Sequence, residues 1–225
     1  VKVASAKRLI LFDCDGTIVD SQQAIITGMS RAMVQVGLTP AADADILKTI
    51  GLSLEAAVEL YLPDSSQAQR TVLIEAYREI ATEIAAQEDR GEVLFPGIAK
   101  LIQALAEEKN TLLGIVTMKS RRGVHRVCHT HGFEEVFHVL KSADDGPGKP
   151  NPQLILDALD ETGMTADQTV MIGDTIYDIA MAVNAGVTPI GVSWGYNPVS
   201  DLKKYGAKHI VKSANELMKL LSNNI

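Results

Sequence analysis

The sequence predicts an α/β protein: a parallel sheet with helices on both faces, interrupted after its first strand by an inserted all-helical segment. Three observations predict it. Strand-like and helix-like stretches alternate from Leu112 onward, as parallel strands joined by crossover helices require. Two short apolar runs, Leu9–Phe12 and Thr169–Ile172, stop at acids, Asp13 and Gly173-Asp174, and read as buried strands with polar carboxyl ends. Between them, residues 20 to 90 carry helical patterning and no convincing strand. These boundaries assign residues 1–19 and 93–225 to the sheet core and 20–92 to the helical insertion.

The elements follow in order. After the first strand, Ser21 is placed to cap a helix running to about Val36, stopped by Gly37 and Pro40. Ala42–Lys48, Ser53–Tyr61 and Ser65–Gln87 also read as helices. In the last of these, Leu73, Tyr77, Ile80 and Ile84 mark one apolar face. Pro96–Glu108 reads as a helix and Leu112–Val116 as a strand ending at Thr117. Val124–His131 is expected to be helical and Val136–Leu140 to be a third strand. Asn151–Thr162 reads as a helix, Thr169–Ile172 as the fourth strand, Ile176–Asn184 as a helix and Thr188–Val192 as a fifth strand.

Composition narrows the function. The 225 residues are 46% hydrophobic and 22% charged, with mean hydropathy +0.09, which suits a folded core and not disorder. Twenty-eight acidic against 21 basic residues give a net charge of −7, so nucleic acid and anionic membranes are not the expected partners. A small anionic substrate in a locally positive pocket stays open. Two cysteines, Cys14 and Cys128, make neither a disulfide framework nor a zinc cage and read as thiols in a reducing cytosol. Val1–Arg8 lacks an export signal, and no apolar run approaches the ~20 residues of a membrane helix. A cytoplasmic location without membrane attachment is therefore expected, as monomer or homodimer.

In open parallel sheets, ligands bind beyond the carboxyl ends of the strands. Asp13, Thr117 and Asp174 occupy such ends, and Lys149 lies in a loop after another. In Asp13-Cys14-Asp15-Gly16-Thr17, two carboxylates at i and i+2 can face one site if Gly16 turns the chain, one attacking while the other handles protons; an Asp-Gly turn that ends a strand is the plainer alternative. In Gly173-Asp174-Thr175-Ile176-Tyr177-Asp178, Asp174 could simply cap the next helix, with Asp178 one turn later on the same side. Four acids gathered round one anion require a cation, and oxygen ligands suit magnesium. Gly148-Lys149-Pro150-Asn151-Pro152 holds one lysine in stiffened backbone, where a solvated loop lysine is the alternative.

Other patterns stop short. Gly148-Lys149 is no nucleotide P-loop, since Ala143 and Pro150 occupy required positions, and Thr17, Ile18 and Ala24 break an EF-hand. His125, Cys128, His129 and His131 resemble a metal cluster but complete no recognised spacing. Trp194 and Tyr196 read as packing or loop anchors.

Together, the Asp-x-Asp-Gly-Thr cluster, Thr117, Lys149-Pro150 and Gly-Asp-x-x-x-Asp resemble, in order and over essentially the whole chain, the four motifs of the haloacid dehalogenase superfamily. Ser193-Trp194-Gly195-Tyr196-Asn197 and Gly51-Leu52-Ser53 further resemble its phosphoglycolate-phosphatase-like branch. The resemblance implies a Rossmann-like core with a helical cap, Mg²⁺ as cofactor and a small phosphorylated metabolite as substrate, with 2-phosphoglycolate foremost. A sugar-phosphate mutase of the β-phosphoglucomutase type, a pyrophosphate or nucleotide hydrolase, and a non-catalytic binding module are the alternatives. It implies Asp13 as nucleophile and metal ligand, Asp15 as general acid/base with its carbonyl on the metal, and Asp174 as metal ligand with Asp178 in support. Thr117 and Lys149 then hold the phosphoryl group, and Met118, Lys119, Gly51 and Ser53 are substrate-binding candidates. Met118 departs from relatives that carry a small or polar residue there, although its backbone N–H can still donate.

Overall fold

The computed structural model describes residues 8–87 and 93–222. In chain order these are β1 (Arg8–Phe12), β2 (Val19–Asp20), α1 (Gln22–Gln35), α2 (Asp43–Thr49), α3 (Leu54–Tyr61), α4 (Gln67–Gln87), β3 (Val93–Leu94), α5 (Ile98–Ala106), β4 (Thr111–Val116), α6 (Arg121–His131), β5 (Val139–Lys141), α7 (Gln153–Thr162), β6 (Thr169–Gly173), α8 (Ile176–Ala185), β7 (Thr188–Val192), α9 (Val199–Lys204), β8 (His209–Val211) and α10 (Ala214–Ser222). Six strands form one sheet in the order β5-β4-β1-β6-β7-β8, every pair parallel.

Side-chain alternation divides the core between the two sheet faces. Ile10 and Phe12, with Leu113, Ile115, Val170 and Ile172, pack under α5, α6 and α10 through residues such as Leu101, Val127 and Leu217. Leu9 and Leu11, with Leu112 and Met171, pack under α7 and α8 through Leu154, Ala158, Met181 and Ala182. Leu9 to Phe12 are all fully buried, which explains why β1 reads as an uninterrupted apolar run. Truncating Phe12 to alanine would cost about 3–5 kcal/mol.

The chain runs from β1 outward through β4 to β5, then returns to β6 on the other side of β1. That reversal opens a crevice at the carboxyl ends of β1, β4 and β6. Asp13 and Thr117 extend the ladder by one residue: Asp13 N–H donates to Ile172 O at 2.8 Å and Thr117 N–H to Lys141 O at 3.0 Å. The side chains at these positions are thereby fixed by the sheet itself.

Helices α1–α4 lie between β2 and β3 and enclose their own apolar cluster, including Met29, Met33, Ile46, Val58, Leu73 and Ile80. Leu73, Ile80 and the half-buried Tyr77 and Ile84 are all on the apolar side of α4, as its spacing predicts.

Several local expectations change. Ser21 precedes α1, but its side chain makes no cap; its backbone N–H donates instead to the Tyr196 hydroxyl at 3.0 Å. The third strand begins at Val139, not Val136, because Val136 N–H closes a turn onto Phe133 O. At the two ends of the insertion the chain forms a short antiparallel ribbon, Val19 opposite Leu94 and Asp20 opposite Val93, of which only Asp20 falls within the stretch expected to lack a strand. Helix α6 starts at Arg121, three residues before the expected Val124, because Ser120 caps it by accepting from Gly123 N–H. β8, α9 and α10 extend the alternation beyond the fifth strand. Among the described residues, no helix is long and apolar enough to cross a membrane.

Candidate active site

Asp13, Thr117, Lys149, Asp174 and Asp178 are all buried, and the fold gathers them at the crevice. The loop after β1 turns tightly, with Ile18 and Val19 N–H both donating to Cys14 O. Gly16 has φ +83°, and a methyl group there would lie 2.3 Å from Asp174 Oδ2, so both the turn and the close approach exclude a side chain. The same packing brings Thr17 Oγ1 within 2.9 Å of Asp174 Oδ1, to which it donates.

Asp174 precedes α8 without capping it. Thr175 is the N-cap, and Asp178 completes the capping box by accepting from Thr175 N–H at 2.9 Å and Thr175 Oγ1 at 2.6 Å. Asp174 Oδ2 accepts instead from Tyr196 N–H at 2.9 Å. A methyl at Gly195 would lie 2.2 Å from Asp174 Cβ, so the loop after β7 closes directly over this carboxylate.

Lys149 reaches across the site. Its Nζ lies 2.7 Å from Asp13 Oδ1 and 2.5 Å from Asp178 Oδ1, with all three side chains buried. The Lys149 ammonium is therefore the near partner of Asp13 Oδ1, an ion pair between two buried groups. The loop holding Lys149 is tied down where Asn184 Nδ2 donates to Pro150 O at 2.9 Å. Asp15, less buried, accepts from Lys119 Nζ at 2.8 Å. Thr117 Oγ1 accepts from Lys119 N–H at 3.2 Å.

The electrostatics call for a further cation. Burial, and then the Asp178 charge, push Asp13 up to about 7 despite the opposing pull of Lys149. Burial, Asp178 and Asp13 hold Asp174 well above the ordinary carboxylate range. Desolvation pulls Lys149 down, but Asp13 and Asp178 outweigh it and raise its ammonium above the ordinary lysine value. Carboxylate oxygens of Asp13, Asp174 and Asp178 lie within 4.8 Å of one another, with Lys149 the ammonium among them. Three carboxylates against one ammonium leave two negative charges, which a divalent ion would cancel. The all-oxygen donor set and its excess negative charge fit a hard cation such as magnesium.

Asp13, Asp15, Thr117, Met118, Lys119 and Gly51 line a cavity of about 680 Å³ that continues between α1, α4 and α6. Ser53 is not among its lining residues. The Ser53 hydroxyl caps α3 by accepting from Ala56 N–H at 3.2 Å, and a methyl at Gly148 would meet Ser53 Cβ at 2.9 Å, so Ser53 packs against the Lys149 loop. His125, Cys128, His129 and His131 lie along α6 and form no ligating group; among the described residues that arrangement occurs only at Asp13, Asp174 and Asp178. Trp194 anchors its loop, donating from Nε1 to Thr17 O at 3.2 Å.

Sequence reasoning did not find the roles of Thr17, Thr175 and Tyr196. Thr17 and Thr175 stand inside the quoted motifs, and Tyr196 inside the Ser193–Asn197 segment, yet only the folded contacts with Asp174 and Asp178 reveal what they hold.

The parallel sheet thus gathers this acid, lysine and threonine constellation at its switch point. The haloacid dehalogenase-like hydrolase family matches residues 10–192, and the chain belongs to that family. A protein of Dickeya dadantii strain 3937 named "Probable phosphatase IndB" is 30% identical, covering 94% of this chain and 92% of that protein. "Pyrophosphatase PpaX" of Oceanobacillus iheyensis is 26% identical over 96% and 98% of the two chains. "Phosphoglycolate phosphatase" of Yersinia pestis is 29% identical over 85% and 83%. A crystal structure of a hydrolase from Pseudomonas syringae shares the fold, with TM-score 0.85 at 23% identity, covering 96% of this chain and 98% of the other. The chain is accordingly a phosphatase enzyme of this family.

Proposed function

We propose that this chain is a magnesium-dependent phosphatase that hydrolyses a small phosphorylated metabolite in two displacements, through a phospho-aspartate on Asp13. The observation that carries the reading is the buried Asp13 carboxylate lining the cavity, with Lys149 Nζ 2.7 Å from its Oδ1. In the first displacement an Asp13 oxygen bonds to phosphorus as the bond to the ester oxygen breaks, and Asp15 protonates that leaving oxygen. In the second, water attacks phosphorus, Asp15 takes its proton, and the Asp13–phosphoryl bond breaks to release inorganic phosphate. Thr117 and Lys149 orient the phosphoryl oxygens, and Lys149 offsets their charge. Asp13, Asp174 and the Asp15 carbonyl would hold Mg²⁺, which supplies charge neutralisation at the transferring phosphoryl group. Asp178 supports the site by orienting Lys149.

Residues 1–19 and 93–225 form the catalytic core in this reading, and residues 20–92 form a cap that screens the cavity from water. The relatives' names agree on phosphate and divide on the leaving group. 2-Phosphoglycolate is the first ester to assay.

The test is acid-quenched mass spectrometry of the Asp13 peptide during turnover, with and without EDTA. A phosphoryl adduct in magnesium that disappears with EDTA or in Asp13→Asn is the expected result. Full turnover in metal-free buffer, or equal labelling of Asp13→Asn, rejects the mechanism.

A further inference from the structure

The cavity is much larger than the phosphoryl site requires. Its volume of about 680 Å³ lies within the ~300–1,000 Å³ typical of pockets that bury drug-sized ligands. Beyond Asp13 and Asp15 its two walls differ in character. One wall is apolar, with Ile25 and Met29 of α1, Ile50 after α2 and Tyr77 of α4. The other is a face of α6: Arg122, Arg126 and Thr130 recur every fourth residue and therefore share one side of the helix, about 12 Å from first to last. Lys119, just before that helix, continues the line toward Asp15.

Most charged groups lining this space are engaged. Glu55 pairs with Arg78 at 3.0 Å, Asp144 accepts from Arg121 N–H at 2.8 Å, Lys119 holds Asp15, and Arg126 is engaged as well. Arg122 makes no salt bridge with a described residue. On a chain of net charge −7, a row of cations lining the substrate cavity is not a by-product of a basic surface.

We infer that the substrate is a phosphate monoester whose alcohol portion carries a second anionic group on an apolar body larger than a two-carbon acid, the anion facing Arg122 and Arg126 and the body facing Ile25, Met29 and Tyr77. The inference rests on the phosphatase reading above. A carboxylate and a phosphate share the required chemistry, since either accepts paired hydrogen bonds from a guanidinium.

Three aryl esters separate the possibilities: phenyl phosphate, 4-(carboxymethyl)phenyl phosphate and 4-(phosphonomethyl)phenyl phosphate. Their leaving phenols are of similar reactivity, so differences in kcat/KM report the added anion. At least one doubly anionic ester should exceed phenyl phosphate at least tenfold, and the better of the two identifies the preferred anion. Arg122→Gln should reduce that ratio to threefold or less, whereas Arg31→Gln, outside the cavity, should retain it. Ratios within threefold in the unmodified protein overturn the inference, as does a ratio that survives both Arg122→Gln and Arg126→Gln. Calorimetric binding to Asp13→Asn protein reads the same preference without turnover. Selective binding of a doubly anionic ester with no turnover by the unmodified protein would sink the phosphatase reading and keep only the ligand preference. Turnover with no preference in either measurement would do the reverse.

Discussion

The sheet core and the helical insertion face the same cavity, but they use polar groups in opposite ways. In the core, Asp13, Lys149, Asp178 and Thr175 are buried and linked by ion pairs and hydrogen bonds, and Asp174 is held by Thr17, across loops from three parts of the chain. In the insertion, the ion pairs Lys48–Asp45, Arg31–Glu83 and Arg78–Glu55 lie on exposed surface, where such pairs contribute only ~0–1 kcal/mol. Its interior is apolar. The core therefore cannot change one site residue without disturbing the others, whereas the insertion can vary its exposed ion pairs with little effect, while its cavity-lining Ile25, Met29 and Tyr77 belong to its own apolar cluster and are held by packing. Charge sets the constraint in the core, and packing sets it in the insertion.

The sharpest way to break the comparison is at Asp13. Asp13→Asn should lower kcat by ~10⁴-fold or more, as removal of a nucleophile does. In EDTA it should also raise the melting temperature, because it removes one of three mutually repelling buried charges. A gain of about 1 kcal/mol would appear as roughly 2–4 °C in a chain of this size. A lower melting temperature would show that Asp13 is structurally required and that its charge does not strain the core.

Lys149→Met comes next. It strands Asp13 and Asp178 without their shared cation, and breaking a buried pair in this way costs about 3–5 kcal/mol. Arg31→Met, which breaks an exposed pair in the insertion, should cost less than about 1 kcal/mol in the same urea titration. Similar costs for the two would erase the distinction between the regions.

A smaller effect tests where the regions touch. Gly51 has φ +97°, and a methyl there would lie 2.7 Å from Thr175 Oγ1. Gly51→Ala should destabilise by about 1–3 kcal/mol through backbone strain and shift the loop that borders the cavity. The measurement is kcat/KM beside urea stability: a loss of activity without loss of stability would place the strain entirely at the interface.

The smallest expected effect concerns Cys128. Burial, and then the Glu134 charge, push its thiol up to about 11, so at pH 8 it is almost wholly protonated. Alkylation by iodoacetamide in native buffer should be many-fold slower than in urea. Equal rates would show that the α6 side of the core opens as readily as an exposed surface.

Much of this arrangement is legible before folding. Strands β1, β4 and β6 can be read because apolar runs stop abruptly at Asp13, Thr117 and Gly173-Asp174, and burial on both faces leaves no polar alternation to blur them. What stayed hidden depends on contacts between distant segments. Ser21 has the chemistry of a helix cap, yet the Tyr196 hydroxyl, 175 residues away, takes its N–H. Val136 and Phe137 are apolar because they pack against the core before β5 begins, and hydrophobicity alone does not separate a packed turn from a strand. Arg122 and Arg126 look like ordinary helix-surface cations until the fold places them along the cavity. Ser53 looked suited to reach the substrate, but its hydroxyl is engaged by Ala56 N–H at the start of α3.

The ribbon of β2 and β3 has a consequence for ancestry. Val19 pairs with Leu94, so the chain leaves and re-enters the sheet core on adjacent rungs. From the core's side, the intervening helices are one long detour between neighbouring points, and the entropy of closing such a loop grows only slowly with its length. Recombination could exchange the whole detour for a longer, shorter or differently shaped one without altering strand order or the positions of Asp13 and Thr117. A lineage that keeps this neck can acquire new substrates by grafting.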